Sequence, residues 1–379
     1  MPERGSARRR GARAVAFLLI LGAQFAVFEA ALRVWGSSEA APSFQGLFEG
    51  DPIIGYRLKP HARTRFTTSE FDTEIAINGA GVRDDEEIGA KAPNERRVVL
   101  LGDSLVLAVQ VPFAETFGEL LERRLNEQAP AFRHRVINAG VQGYGPVEEL
   151  LFFRRIAAQL QPDLVITAVF VGNDAEEAVG SQPKLTADGR QAAPLSESIT
   201  TRLRRLVRRS MVLQIVRLRV VAATERFTPT AVAPEPPLQS YVAHPAPRIR
   251  EGLAISRQCV EEIVRIAGEA KAKSGIVLMP ARFQVDDTDY QWLKESVRQA
   301  GGELLRDGAT QRFDDALSAV PVPRIDVLPA LRAALPGPDL FFQKTVHLTR
   351  RGHEVVADAL ARFIMDNQLI DSRAAAGTR

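Results

Sequence analysis

The run Val98-Val-Leu-Leu101, closing on Gly102-Asp-Ser-Leu105, is the feature that most narrows what this chain can become. Four consecutive β-branched and aliphatic residues without a polar break suit a strand covered on both faces, as in a parallel sheet. Gly102 ends the run, and an amphipathic stretch predicts a helix over 116–126 soon after. Open parallel sheets bind their ligands beyond the carboxyl ends of their strands, so Ser104 stands where a site would be. A Gly-Asp-Ser turn alone is also an ordinary turn, in which Gly supplies backbone freedom and Asp and Ser cap it.

The alternation continues along the chain. Strands are predicted at 98–101, 135–138, 164–170, 275–279 and 324–327, and helices at 116–126, 146–160, 250–273, 289–307 and 350–367. Strands alternating with helices argue for a parallel sheet joined by right-handed crossovers. The expected fold class is therefore α/β, a three-layer α/β/α sandwich on a five-stranded parallel, flavodoxin-like sheet. With 379 residues, 45% of them hydrophobic, the chain can bury such a core as one large domain or two smaller ones. No repeat of solenoid period interrupts it.

The ends read differently. Arg8, Arg9, Arg10 and Arg13 precede an apolar run at 14–28, which reads as an export signal or a signal anchor within 1–36. The clean run is short of the roughly 20 residues that span hydrocarbon, but continuing through Glu29 and Arg33 to Trp35 supplies the length. Ser38-Glu-Ala40 is a poor cleavage site. Anchored, the protein is single-pass in the cell membrane with its body on the periplasmic or extracellular side; cleaved, it is secreted or periplasmic.

A small front lobe over 46–90 follows, with strand-like alternation at 54–60 and 71–78 and a turn-rich link through Arg83-Asp84-Asp85. Its expected task is to cover one edge of the sheet. The main domain spans 95–367, and a flexible tail is expected at 368–379. Between 174 and 247 the alternation fails for about 70 residues, too long for an ordinary connection, so an insertion or lid is expected at about 180–247. Its middle, 201–227, is arginine-rich at helical spacing, either a basic face for anionic lipid or polysaccharide or a solvated lid helix. The proline-rich stretch 229–247 reads as an extended return strap.

Composition removes some partners. The 49 basic residues nearly balance 46 acidic ones, giving a net charge of +3, so no nucleic-acid partner is expected. Cys259, the single cysteine, falls in the helical pattern Ile255, Cys259, Ile263, Ile266 and reads as core. No metal or organic cofactor is expected: Asp174, Glu176 and Glu177 lack paired histidines and read as a solvated helix start. Gly140-Val-Gln-Gly-Tyr-Gly145 is in the wrong order for a dinucleotide loop, and no Gly-x-Ser-x-Gly elbow is present.

Three later segments give the serine turn its meaning: Asn138-Ala-Gly140, Gly172-Asn173-Asp174 and His347-Leu-Thr349. With Gly102-Asp-Ser-Leu105, and in this order, they resemble the GDSL or SGNH hydrolases, whose four blocks supply Ser, Gly, Asn and His. The resemblance covers roughly 51–367, and the front lobe is similar to the segment preceding the serine block in membrane-anchored bacterial members. It implies Ser104 as nucleophile, His347 as base, and oxyanion donors from the Ser104 amide, the Gly140 amide and the Asn173 side chain. Physics supports the residue types, since imidazole titrates near neutral pH and a carboxamide is a neutral donor. The implied function is a serine esterase acting on an acyl or acetyl ester, of a lipid or an acylated glycan. The alternatives are acyl transfer to a cell-envelope glycan at the same serine, and a binding protein weakened in turnover.

One departure bears on that choice. Family members commonly carry an aspartate two or three residues before the histidine, and here those positions are Thr345 and Lys344. Three outcomes stay open: a Ser–His dyad suffices, Asp339 substitutes, or turnover is weak. Asp103 is expected to fix the serine turn, Thr349 to cap the last helix and His353 to support it.

Overall fold

The structure, a computed structural model, describes residues 22–25, 27, 46–185, 238–336 and 339–371. The chain divides into two units, 1–43 with 196–230, and 44–195 with 231–379. Of the first, only 22–25 and 27 are described, helical and exposed. Among the described residues no helix is long and apolar enough to cross a membrane. The expected anchor and the arginine-rich segment 201–227 lie largely or wholly outside the described residues, as do 229–237 of the proline strap and 372–379 of the tail.

The second unit is the expected sandwich. Strands β5 (Glu95–Gly102), β6 (Arg133–Gly140), β7 (Leu164–Phe170), β8 (Lys273–Met279) and β9 (Arg324–Asp326) form one sheet in the order β6-β5-β7-β8-β9. Every pairing is parallel, with Gly102 opposite Gly140 and Leu101 opposite Thr167. The chain reverses direction across the sheet between β6 and β7, on either side of β5, where such sheets place their ligands.

Pleating sends alternate residues of β5 to opposite faces. Val99 and Leu101 pack with Leu150, Phe153, Cys259 and Ile263, from helices α3 (Pro146–Leu160) and α5 (Pro247–Glu269). Val98 and Leu100 pack with Phe117, Leu121, Val356 and Leu360, from α2 (Phe117–Gln128) and α10 (Arg350–Asp366). That double cover explains the unbroken apolar run.

A short α1 (Ser104–Leu107) follows β5, and α4 (Asp174–Ser181) follows β7. Beyond β8 come α6 (Arg282–Val285), α7 (Asp287–Gln299), α8 (Gly308–Leu317) and, after β9, α9 (Leu328–Ala333). The helix predicted over 289–307 is therefore shorter than expected. Gly301 at φ +79 turns the chain, and α8 starts afresh after it. The helix predicted to reach 273 also stops early, with Lys271 at φ +61, because Lys273 already belongs to β8.

The front lobe consists of two hairpins, β1 (Phe48–Asp51) with β2 (Gly55–Leu58) and β3 (Arg63–Thr67) with β4 (Asp72–Ala76). Arg83 then bridges Asn138, so the lobe meets the β6 edge as expected. Its turn-rich link is anchored in the core. Arg83 is fully buried, and its guanidinium donates to the carbonyls of Leu107 at 2.8 Å and Val111 at 2.8 Å, and to that of Ala108.

Candidate active site

Ser104 opens α1 at the carboxyl end of β5. Asp103 is the N-cap, its carboxylate accepting from the Leu105 amide at 2.8 Å, so it fixes the turn as expected. Burial pushes the Asp103 carboxyl up to about 6, against the hydrogen bond from the Leu105 amide, which favours the charged form. Gly102 is needed for the reversal: a Cβ there would lie 2.3 Å from the Val106 side chain.

His347 arrives from the far end of the chain on a small hairpin. Phe341 and Leu348 form a bridge, and the Phe342 amide donates to the His347 carbonyl at 2.9 Å. Thr349 ends the hairpin and caps α10, accepting from Gly352 N at 3.4 Å. This geometry brings His347 Nε2 to 2.9 Å from Ser104 Oγ, although 243 residues separate them in sequence.

The imidazole is half-buried, and desolvation lowers its pKa to about 4, so it is neutral at neutral pH. For Nε2 to accept from the serine hydroxyl, Nδ1 must carry the ring proton, yet Nδ1 is buried without a hydrogen-bond partner among the described residues. Lys344 Nζ donates to Ser69 Oγ at 2.8 Å, and Thr345 Oγ1 accepts from the His347 amide at 3.3 Å. Asp339 accepts from the Gln343 side chain at 3.0 Å. None of the three orients the ring, so Asp339 does not take the place of the usual acid.

The other two expected residues lie on the same sheet edge, one with its amide engaged and the other with a hydrogen to spare. Gly140, opposite Gly102, packs behind α1: a Cβ there would come within 2.4 Å of Leu107 N. Its amide donates to Asn138 Oδ1 at 3.1 Å, inside the core, so the expectation of a free Gly140 donor is corrected. Glycine is required here for close packing. Three residues on, Gly143 is exposed at φ +69, and its amide makes no hydrogen bond within the described residues. Sequence reasoning passed over Gly143, although a second glycine just past a buried strand signals a left-handed turn.

Asn173 is the N-cap of α4, and its Nδ2 donates to Glu177 Oε1 at 2.8 Å. A carboxamide nitrogen has two hydrogens, so one remains for a ligand. A Cβ at Gly145 would lie 2.8 Å from Glu177 Cβ, so the turn after β6 abuts the helix that starts with Asn173.

The acids after Asn173 are not a solvated helix start. Asp174 is 1% exposed and accepts from the Phe170 amide at 2.9 Å. Glu149 is 2% exposed, and burial together with the neighbouring Asp103 pushes its carboxyl well above the usual range. Burial likewise raises Asp174, beside Glu149, and lifts Glu177 to about 8. Among the described residues no group of His, Cys, Asp or Glu is arranged to hold a metal ion. His353 is buried at the start of α10 and stacks on Phe117; its Nδ1 accepts from the Phe117 amide at 3.1 Å. It supports the packing of α10 on α2.

Fold and site together define an α/β hydrolase of the flavodoxin-like type, with a serine and a histidine paired at the switch point of its sheet. Residues 98–360 match the family profile described as GDSL-like Lipase/Acylhydrolase, and since this is more than half of the chain, the protein belongs to that family. It is a hydrolase acting on ester bonds. No curated protein matches the chain. Among solved structures it is similar to LAE5, an alpha/beta hydrolase enzyme from the metagenome of Lake Arreo, Spain, at 14% identity and TM-score 0.40, covering 74% of this chain and 98% of that one. The lipase/acylhydrolase from Enterococcus faecalis matches at 15% identity and TM-score 0.37, covering 74% of this chain and 100% of that one. The psychrotrophic esterase EstA from Pseudoalteromonas sp. matches at 11% identity and TM-score 0.38, over 72% and 97%.

Proposed function

We propose that the protein is a serine esterase working through a Ser104–His347 dyad, with its body outside the cytoplasm. The observation that carries this reading is the 2.9 Å contact between Ser104 Oγ and His347 Nε2. His347 Nε2 takes the hydroxyl proton as Oγ bonds to the acyl carbon, and returns it to the leaving alcohol when the tetrahedral intermediate collapses. Water then repeats the sequence and frees the acid. The Ser104 amide, the free N–H of Asn173 and the unengaged Gly143 amide are the donors for the developing oxyanion. The arginines among residues 8–13 ahead of the apolar run 14–28 support that location.

A fluorophosphonate probe tests the dyad, since attack by Ser104 forms a Ser–O–P bond and expels fluoride. Wild-type protein is expected to label and Ser104→Ala is not. Asn173→Ala is expected to hydrolyse a p-nitrophenyl ester about 10²–10³-fold more slowly in kcat, the loss typical of one oxyanion donor. Labelling that survives Ser104→Ala would remove Ser104 as the nucleophile. His347 Nδ1, without a hydrogen-bond partner among the described residues, favours one second reading, a family member weakened in turnover that mainly binds its ester, which predicts that neither protein labels appreciably.

A further inference from the structure

The family profile begins at residue 98, yet the lobe before it touches three of the segments that build the site. Arg83 holds the carbonyls at the exit of α1, three to seven residues beyond Ser104. Tyr56 OH donates to the Gln142 carbonyl at 2.7 Å, and Tyr144 OH returns to the Tyr56 carbonyl at 2.6 Å, on either side of Gly143.

The tip of the β3–β4 hairpin meets the histidine hairpin. Glu70 accepts from the Gln343 amide at 2.8 Å and from the Lys344 amide at 3.0 Å, while Lys344 Nζ donates to Ser69. Phe71 packs on Phe342 with ring centroids 5.4 Å apart. The tip is itself stiff, because Thr68 Oγ1 accepts from the amides of both Glu70 and Phe71 at 3.1 Å. From the opposite side Arg282 donates to the carbonyls of Phe342 at 2.8 Å and Gln343 at 2.6 Å.

We propose that the front lobe is a collar that positions the dyad, with Glu70 steadying His347 through the backbone of its hairpin. Glu70 thus takes over the orienting task that an acid on the ring performs elsewhere. Among the described residues the ring's Nδ1 has no partner, and hydrogen bonds aim it through Ser104 and its own main chain. The two amides fixed by Glu70 lie three and four residues before His347, where the chain is otherwise exposed. Glu70 touches no reacting atom and is a positioning residue. The inference rests on the serine–histidine reading above.

The test uses the full chain. Glu70→Ala is expected to slow fluorophosphonate labelling and kcat for a p-nitrophenyl ester by about 10- to 100-fold, the scale of a misplacement near 1 Å, with KM within about twofold. Amide exchange at Gln343 and Lys344 should speed up, and Glu70→Gln, which still accepts, should recover most of the rate. A folded Glu70→Ala protein that labels at the wild-type rate overturns the proposal, as does exchange at those two amides that stays unchanged. Should Glu70→Ala not fold, Glu70→Met, which keeps the bulk of the side chain but cannot accept from the two amides, is read the same way, an unchanged labelling rate being the overturning result. Wild-type protein that never labels defeats the dyad itself, a failure distinct from wild type and Glu70→Ala labelling alike.

Discussion

His347 shows how far a single side chain depends on surroundings that sequence does not spell out. Its base function requires the neutral ring, and burial supplies that state by lowering the pKa to about 4 from the ordinary 6.5. The acid limb of kcat/KM reports the free enzyme's base, so activity should persist below pH 6 and fall by half near pH 4. A pH–rate profile with its acid limb near 6.5 would show that the ring is hydrated and not held as described. Ser104 and His347 were legible because the four segments occur in order. The donor after β6 was misread at Gly140, since sequence spacing cannot tell a glycine whose amide is tied to Asn138 from an exposed one three residues later. The acids 174 and 177 were misread for a related reason: a carboxylate in a first helical turn is usually solvated, and nothing local says that α3 and α5 close over it.

Elements were easier to read than side chains. The strand 164–170 and the helix 146–160 match the structure residue for residue, the strand being an unbroken apolar run and the helix starting on a proline. The helix 289–307 was drawn too long, because its polar, exposed surface gave no periodic signal to mark the end at Gln299. Close contacts between helices were not legible, and Gly252 is the clearest instance. It lies in α5 where a Cβ would stand 1.7 Å from the carbonyl oxygen of Ala175 in α4, so only glycine allows the two helices their approach. Gly252→Ala must push backbone from backbone, and its cost should reach or pass the upper end of the 1–3 kcal/mol or so typical of overpacking. Because α4 starts at Asn173, the same shift should lower the fluorophosphonate labelling rate. A urea midpoint and a labelling rate both equal to wild type would show that the helices have room to part.

At the scale of the whole molecule, the site rests on a floor of buried carboxyl groups that sets how stability depends on pH. Burial raises Asp103 to about 6 and Glu177 to about 8, and lifts Glu149 and Asp174 well above their usual range. The folded protein therefore keeps protons that the unfolded chain releases near pH 4. The contribution of these groups is fully present below that pH and is lost as pH climbs through their folded values. His347 and His353, lowered by burial to about 4 and about 3, act in the opposite sense: their contribution is complete above 6.5 and fades as pH falls. The two sets oppose each other below 6.5, and above it the carboxyls act alone. Calorimetric Tm should accordingly fall between pH 6.5 and 8.5, and Glu177→Gln should flatten the slope by removing one of the groups that titrates there. A Tm that is level or rising across that interval would mean that these carboxyls are already ionised in the folded protein, and that the floor of the site is charged and wet.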